Sequence, residues 1–309
     1  MMNRGINSST EFRKNIFFRN SVRISSLIHN SSLKKGGVLM EFLGVLGEKL
    51  PHTYSPIINK RIMELINVEG AYKKFELPQG NMHKFIDGVK TLDIRGFNIT
   101  IPYKEEVIPF LDYISDEAKN IGAVNTVVNK EGKLYGYNTD YFGFHSTLKI
   151  ANIDVKGKTT VILGSGGASK AIREVLLDDG AEEVYIVSRN PQDSSEKSEN
   201  KRVKLINYEQ LAELSGYLLV NSTPVGMYPK VGISPVGEEI IEKFEAVVDI
   251  VYNPTETEIL RKARSLGKIS IGGLYMLVGQ AVKAEEIFHQ VEIDKEIINI
   301  IYNELKKEF

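Results

Sequence analysis

The feature that most restricts this chain is a rhythm of short apolar runs and longer helical stretches. Between residues 159 and 271 the pattern predicts strands at 159–163, 183–187, 202–206, 217–220, 246–250 and 268–271. Helices at 167–179, 207–214 and 257–266 fall between them. Strands joined through helices run parallel with right-handed crossovers, so this half predicts an α/β sheet of parallel strands. From Met40 to about residue 150 the rhythm is looser. It predicts strands at 42–46, 71–77 and 94–100, helices at 55–68 and 81–90, and a hairpin of 124–129 with 133–137. A helix at 140–150 opens on Asp140, where capping is the ordinary reason for an aspartate. Helices at 273–290 and 293–308 close the chain.

A length of 309 residues suits two domains, and 42% hydrophobic residues provide material for a core in each. A formal net charge of −1 gives no electrostatic reason to bind nucleic acid or an anionic membrane. The lack of cysteine excludes disulfides, thiolate catalysis and zinc–thiolate sites. No apolar run reaches the ~18 residues of a spanning helix, and the five histidines lack metal-ligand spacing. A cytoplasmic protein with no metal, membrane or nucleic-acid partner is expected.

Residues 1–39 stand apart. They carry seven Lys/Arg against one acid, Glu11, are rich in Ser and Asn, and show no apolar periodicity until Val38. Three readings fit: a misplaced start ahead of Met40, a basic and Ser-rich targeting segment, or a true disordered arm. The stretch is therefore set aside as a non-native or disordered N-terminal extension.

"VILGSGGASK" (161–170) breaks a strand into glycines and resumes as a helix. In a dinucleotide-binding turn the first glycine makes the bend and the second lets backbone approach the pyrophosphate. A helix N-terminus then faces the phosphate charge. Gly164 and Gly166 fill the first two places, Gly167 adds room, and Ser169 stands where a third glycine would. A merely tight strand–helix turn would look similar, but the second strand ends at "IVSRN" (186–190). An NAD site would place Asp or Glu there for the ribose hydroxyl; Arg189 instead suits a 2′-phosphate. The turn predicts NADP.

Five further stretches hold polar residues that packing does not require: "HTYSP" (52–56), "NITIPYK" (98–104), "AVNT" (123–126), "YNTDYFG" (137–143) and "GGLYMLVGQA" (272–281). Pro102 takes the chain out of the sheet and presents Lys104 from a loop, while Met276 and Gln280 share a helix face. Singly each has a bland explanation; together with a nicotinamide site they form a set. In this order, joined by "NSTPVGM" (221–227) and "DIVYNP" (249–254), they make the chain from Met40 onward resemble the shikimate dehydrogenase family.

The resemblance implies a two-domain α/β protein: a three-layer substrate domain at 40–150, completed by the helices of 273–309, and a Rossmann NADP-binding domain at 151–272. It implies reduction of 3-dehydroshikimate to shikimate by NADPH, in a monomer or homodimer. Lys104 and Asp140 would be the catalytic pair. Thr53 and Ser55, helped by Tyr252, would bind the substrate carboxylate, and Asn98, Thr100, Asn125, Asp140 and Gln280 the ring hydroxyls. Gly164, Ser165, Gly166, Gly167, Ala168, Ser188 and Arg189 would contact the nucleotide, Asn221 and Thr223 would lie along it, and Met227, Gly273 and Met276 would line the nicotinamide pocket. The chemistry agrees, since reducing a ring ketone needs a held hydride donor and an acid for the developing alkoxide.

Three positions depart from the family's pattern. Thr53 replaces a usual serine, and Tyr141 stands where glycine is commoner, either narrowing the cleft or packing on the next helix. Asp193 replaces a second arginine of the NADP forms, leaving Lys197, Lys201 or Arg202 to supply a second cation. The rivals are an NAD-dependent quinate/shikimate dehydrogenase, against which Arg189 argues, and a non-catalytic shikimate-binding paralogue, against which the Lys104/Asp140 pair argues. A structural Rossmann protein would leave the polar clusters without a use.

Overall fold

The computed structural model describes residues 28–29, 40–51, 53–191 and 200–307. The first sheet contains β1 (Glu41–Gly47), β2 (Gly70–Glu76), β3 (Gly96–Ile99), β4 (Tyr113–Ile114), β5 (Thr126–Lys130) and β6 (Lys133–Tyr137). Their spatial order is β2-β1-β3-β5-β6-β4. Strands β1, β2 and β3 are mutually parallel, whereas β5 runs antiparallel to β3 and to β6. The hairpin expected at 124–129 and 133–137 is present as β5 and β6, and because a hairpin reverses the chain without a crossover helix, the first sheet is mixed.

The second sheet contains β7 (Thr159–Leu163), β8 (Glu183–Val187), β9 (Val203–Ile206), β10 (Leu218–Asn221), β11 (Ala246–Asp249) and β12 (Ile269–Gly272), in the order β9-β8-β7-β10-β11-β12. All its pairs are parallel. Strands β10 and β11 are buried at every residue, which is why they read as continuous apolar runs rather than alternating ones. The order reverses between β7 and β10, the crevice where α/β sheets bind ligands.

Helices α1 (Ser55–Leu65), α2 (Met82–Thr91), α3 (Tyr103–Glu106), α4 (Asp116–Ile121) and α5 (Thr139–Ile150) belong to the first half of the chain. The second half adds α6 (Gly167–Asp178), α7 (Tyr208–Leu211), α8 (Glu238–Ile241), α9 (Glu258–Ser265), α10 (Leu274–His289) and α11 (Glu296–Leu305). Helix α1 stops short of the expected residue 68 because Asn67 takes a left-handed φ of 56°. One face of the first sheet is covered by a core of Met82, Ile86, Phe97, Tyr103 and Leu134. The other is covered by α1 and α10, through Met63, Ala284 and Phe288 against Leu43 and Val128. Helices α10 and α11 also pack on α1, so the end of the chain returns to its beginning. Ile28–His29 pair antiparallel with Glu292–Ile293; the rest of the 1–39 extension lies outside the described residues. Among the described residues no helix is long and apolar enough to cross a membrane.

Candidate active site

Strand β3 leads through Thr100, whose carbonyl accepts from Tyr103 N at 3.1 Å, straight into α3. Lys104 thereby leaves the sheet, and its Nζ donates to Asp140 Oδ2 at 2.5 Å. The two side chains are largely shielded, 18% and 14% exposed. The Lys104 carbonyl accepts from Val124 N at 2.8 Å and so ties the lysine to the "AVNT" segment. The expectation that Asp140 caps its helix is corrected. Asn138 is the cap: its Oδ1 accepts from Asp140 N at 3.1 Å, and its Nδ2 donates to Ala123 O at 2.9 Å. Because Asn138 takes the capping role, the Asp140 carboxylate is available to Lys104.

Beside this pair lies a buried polar network. Asn98 Nδ2 donates to Thr126 Oγ1 at 2.9 Å, and Thr126 Oγ1 donates to Asn125 Oδ1 at 3.0 Å. Asn125 Oδ1 also accepts from Thr139 N at 2.7 Å. Thr139 Oγ1 reaches Gln280 Oε1 of α10 at 3.4 Å, while Gln280 Nε2 donates to Leu277 O at 2.8 Å. Asn98, Asn125, Thr126 and Thr139 are all buried; Thr100 and Gln280 are half-buried.

Thr53 Oγ1 donates to Ser55 Oγ at 3.1 Å at the mouth of the cleft. The Tyr252 ring meets Tyr54 edge-on at 5.9 Å, and burial raises the Tyr252 hydroxyl above its ordinary pKa. A groove of about 430 Å³ between the two halves of the molecule is lined by Pro51, Thr53, Tyr54, Ile57, Tyr228 and Asn253.

The glycine turn joins β7 to α6. Gly164 has φ 98°, a conformation that side chains rarely adopt, and a Cβ there would meet Thr223 Cγ2 at 2.9 Å. A Cβ on Gly166 or Gly167 would meet nothing within 4 Å. Open space at the start of a twelve-residue helix fits a pyrophosphate, so the residues present suit a dinucleotide. Ser165 and Ala168 flank these glycines and are half-buried. Ser188, whose N donates to Ile206 O at 3.0 Å, and exposed Arg189 end β8, with Tyr208 nearby in the field of that arginine.

Of the candidates for a second cation, Arg202 is held by the carbonyls of Ala181 (3.0 Å) and Leu177 (3.3 Å) at the end of α6, and Lys201 is exposed. Asp193 and Lys197 lie outside the described residues. Asn221 is buried and its amide is engaged within the protein. Nδ2 donates to Asp249 Oδ1 (3.0 Å) and Val225 O (3.4 Å), and Oδ1 accepts from Thr223 N (3.0 Å) and Thr223 Oγ1 (2.6 Å). It braces the loop that carries Thr223. Met227 is exposed, Gly273 N donates to Val251 O at 3.1 Å, and Met276 is buried among Phe144, Leu148, Val220 and Val248.

A model of the shikimate dehydrogenase substrate binding domain matches residues 45–127. Shikimate dehydrogenase (NADP(+)) of Clostridium beijerinckii is 46% identical over 270 residues, which are 87% of this chain and 100% of that protein. The chain belongs to the shikimate dehydrogenase family. Among solved structures, shikimate dehydrogenase 1 from Peptoclostridium difficile is 52% identical, with a TM-score of 0.81 over 87% of this chain and 99% of the other. Shikimate 5-dehydrogenase from Thermus thermophilus, in complex with NADP(H) and shikimate, is 34% identical, with a TM-score of 0.77 over 86% and 99%.

For this member of the family, two residues that sequence reasoning did not single out complete the network. Thr126 and Thr139 belong to the "AVNT" and "NTD" motifs but look like ordinary strand and helix-start residues in sequence. Asp249, the first residue of "DIVYNP", carries no sequence signal of its own either. It is fully buried at the end of β11 and accepts from Thr257 Oγ1 (2.6 Å), Asn221 Nδ2 (3.0 Å) and Val251 N (3.0 Å). Burial lifts its pKa to about 6 against those three bonds. The departure at Tyr141 resolves toward packing: its hydroxyl donates to Asp178 Oδ2 at 2.8 Å, on α6.

Proposed function

We propose that this chain catalyses the reversible, NADP-dependent reduction of 3-dehydroshikimate to shikimate, with Lys104 and Asp140 as its catalytic pair. The carrying observation is the shielded Lys104–Asp140 contact at 2.5 Å beside the buried amide network. Carbonyl reduction places negative charge on the ring oxygen, and a positioned acid must supply a proton there. The Lys104 ammonium has three donors, so one can hold Asp140 while another faces the substrate oxygen. In the oxidative direction the neutral amine takes the proton back. Asp140 holds the lysine in place and accepts from a substrate hydroxyl.

Thr53 and Ser55 supply hydroxyl donors for the carboxylate, with Tyr252 beside them, and Asn98, Thr100, Asn125 and Gln280 take the ring hydroxyls. When bound, the reduced nicotinamide supplies the hydride. The glycine turn at Gly164, Ser165, Gly166, Gly167 and Ala168 receives the pyrophosphate, and Arg189 receives the 2′-phosphate. The test is oxidation of shikimate and of quinate, each with NADP and with NAD. Shikimate with NADP should give the highest kcat/KM of the four. Preference for quinate or for NAD would overturn the reading.

A further inference from the structure

Tyr72 lies on β2, paired in register with Leu43 of β1. Its hydroxyl donates to Asn98 Oδ1 at 2.6 Å. A phenol has one proton, and here that proton is committed to Asn98. Burial and the charge of Glu285 hold the Tyr72 hydroxyl well above its ordinary pKa, so it stays a donor.

The consequence is directional. With Oδ1 held by Tyr72, the Asn98 amide turns Nδ2 toward Thr126 Oγ1 at 2.9 Å and Asn125 O at 3.5 Å. The Thr126 hydroxyl then donates onward to Asn125 Oδ1 at 3.0 Å. Every link from Tyr72 through Asn98 and Thr126 to Asn125 points the same way. Tyr72 is the donor at the head of this chain of buried amides.

We propose that Tyr72 is a positioning residue of the substrate site, fixing the orientation of the Asn98 amide and, through it, the donors and acceptors offered to the ring hydroxyls. The proposal rests on the reading of the site as a shikimate site. Without the phenol, the Asn98 amide loses the partner that decides which way round it sits, and a buried acceptor is left unpaired.

The test is Tyr72→Phe, which removes one oxygen and keeps the ring. KM for shikimate should rise roughly tenfold, the usual size for one unpaired buried group. kcat should change by less than about threefold and KM for NADP by less than about twofold, since Tyr72 touches neither Lys104 nor the glycine turn. In an Asn98→Ala background the same substitution should change shikimate KM less than about twofold, because the group it acts through is gone. Where Asn98→Ala leaves turnover too slow to follow, shikimate Kd by calorimetry makes the same comparison. An unchanged shikimate KM, or equal factors in both backgrounds, overturns the proposal. Wild-type turnover of shikimate with NADP is measured first, so a failure there is a failure of the functional reading.

Discussion

Lys104 is held at three points: α3 fixes its backbone, its carbonyl accepts from Val124 N, and Asp140 takes its Nζ. A side chain so placed and so shielded does little for a fold that an alanine could not do. Lys104→Ala should lower kcat by roughly 10²–10⁴-fold, the usual worth of a general acid–base, with a much smaller change in shikimate KM. Near-normal turnover would remove it from the mechanism. Arg189 is different in kind, being exposed at the end of β8. A charge-assisted pair to a 2′-phosphate contributes ~1.5–3 kcal/mol, and solvent screening puts an exposed arginine at the lower end. Arg189→Ala should therefore raise KM for NADP about tenfold and leave KM for NAD little changed. Equal weakening of both would mean that the arginine supports the fold instead.

Between elements, the closest seam is that of α5 on α10. A Cβ on Gly143 would lie 2.6 Å from Met276 O and 3.1 Å from Gln280 Cβ. Only glycine lets these helices approach so far, and the approach carries Gln280 to Thr139. Gly143→Ala should cost about 1–3 kcal/mol in urea unfolding, as overpacking does, and should raise shikimate KM by displacing Gln280. Unaltered stability together with unaltered KM would mean that the helices can part without consequence. The seam also marks what the sequence could and could not tell. Strands β7, β10 and β11 are legible because burial on both faces leaves an unbroken apolar run. Helix α3 and strand β4 are not, since four and two residues carry no period. Asp140 was legible as a helix-start residue, but the neighbour that does the capping was not, because Asn138 and Asp140 suit that role equally in sequence. Tyr72 looked like any aromatic on a strand; only the fold brings Asn98 to its hydroxyl.

Over the whole molecule, α10 runs from the nucleotide half back to the first sheet, and its last residue is where the chain's end is fastened to its start. His289 Nε2 lies 2.7 Å from Glu285 Oε2 on the same helix, and Nδ1 lies 2.8 Å from Glu41 Oε2 on β1. Arg95 approaches Glu41 at 3.9 Å and donates to Phe288 O at 2.7 Å. A ring with a carboxylate at each nitrogen can donate to both only as the imidazolium. Burial alone would lower its pKa, but the hydrogen bonds and charges of Glu285 and Glu41 prevail and lift it to about 9. Burial also raises Glu285, so loss of the histidine proton would leave a fully buried carboxylate without its cation. A histidine whose folded pKa stands above the unfolded value of about 6.5 stabilises the fold fully below that value. The stabilisation is lost as pH rises through about 9. Unfolding free energy should therefore fall by something on the order of 3 kcal/mol between about pH 6.5 and 9. His289→Gln, which cannot be charged, should start lower at pH 6.5 and stay nearly flat across the same window. Denaturant unfolding of both proteins at several pH values decides it: parallel curves would mean that the proton on His289 is not what holds α10 to β1.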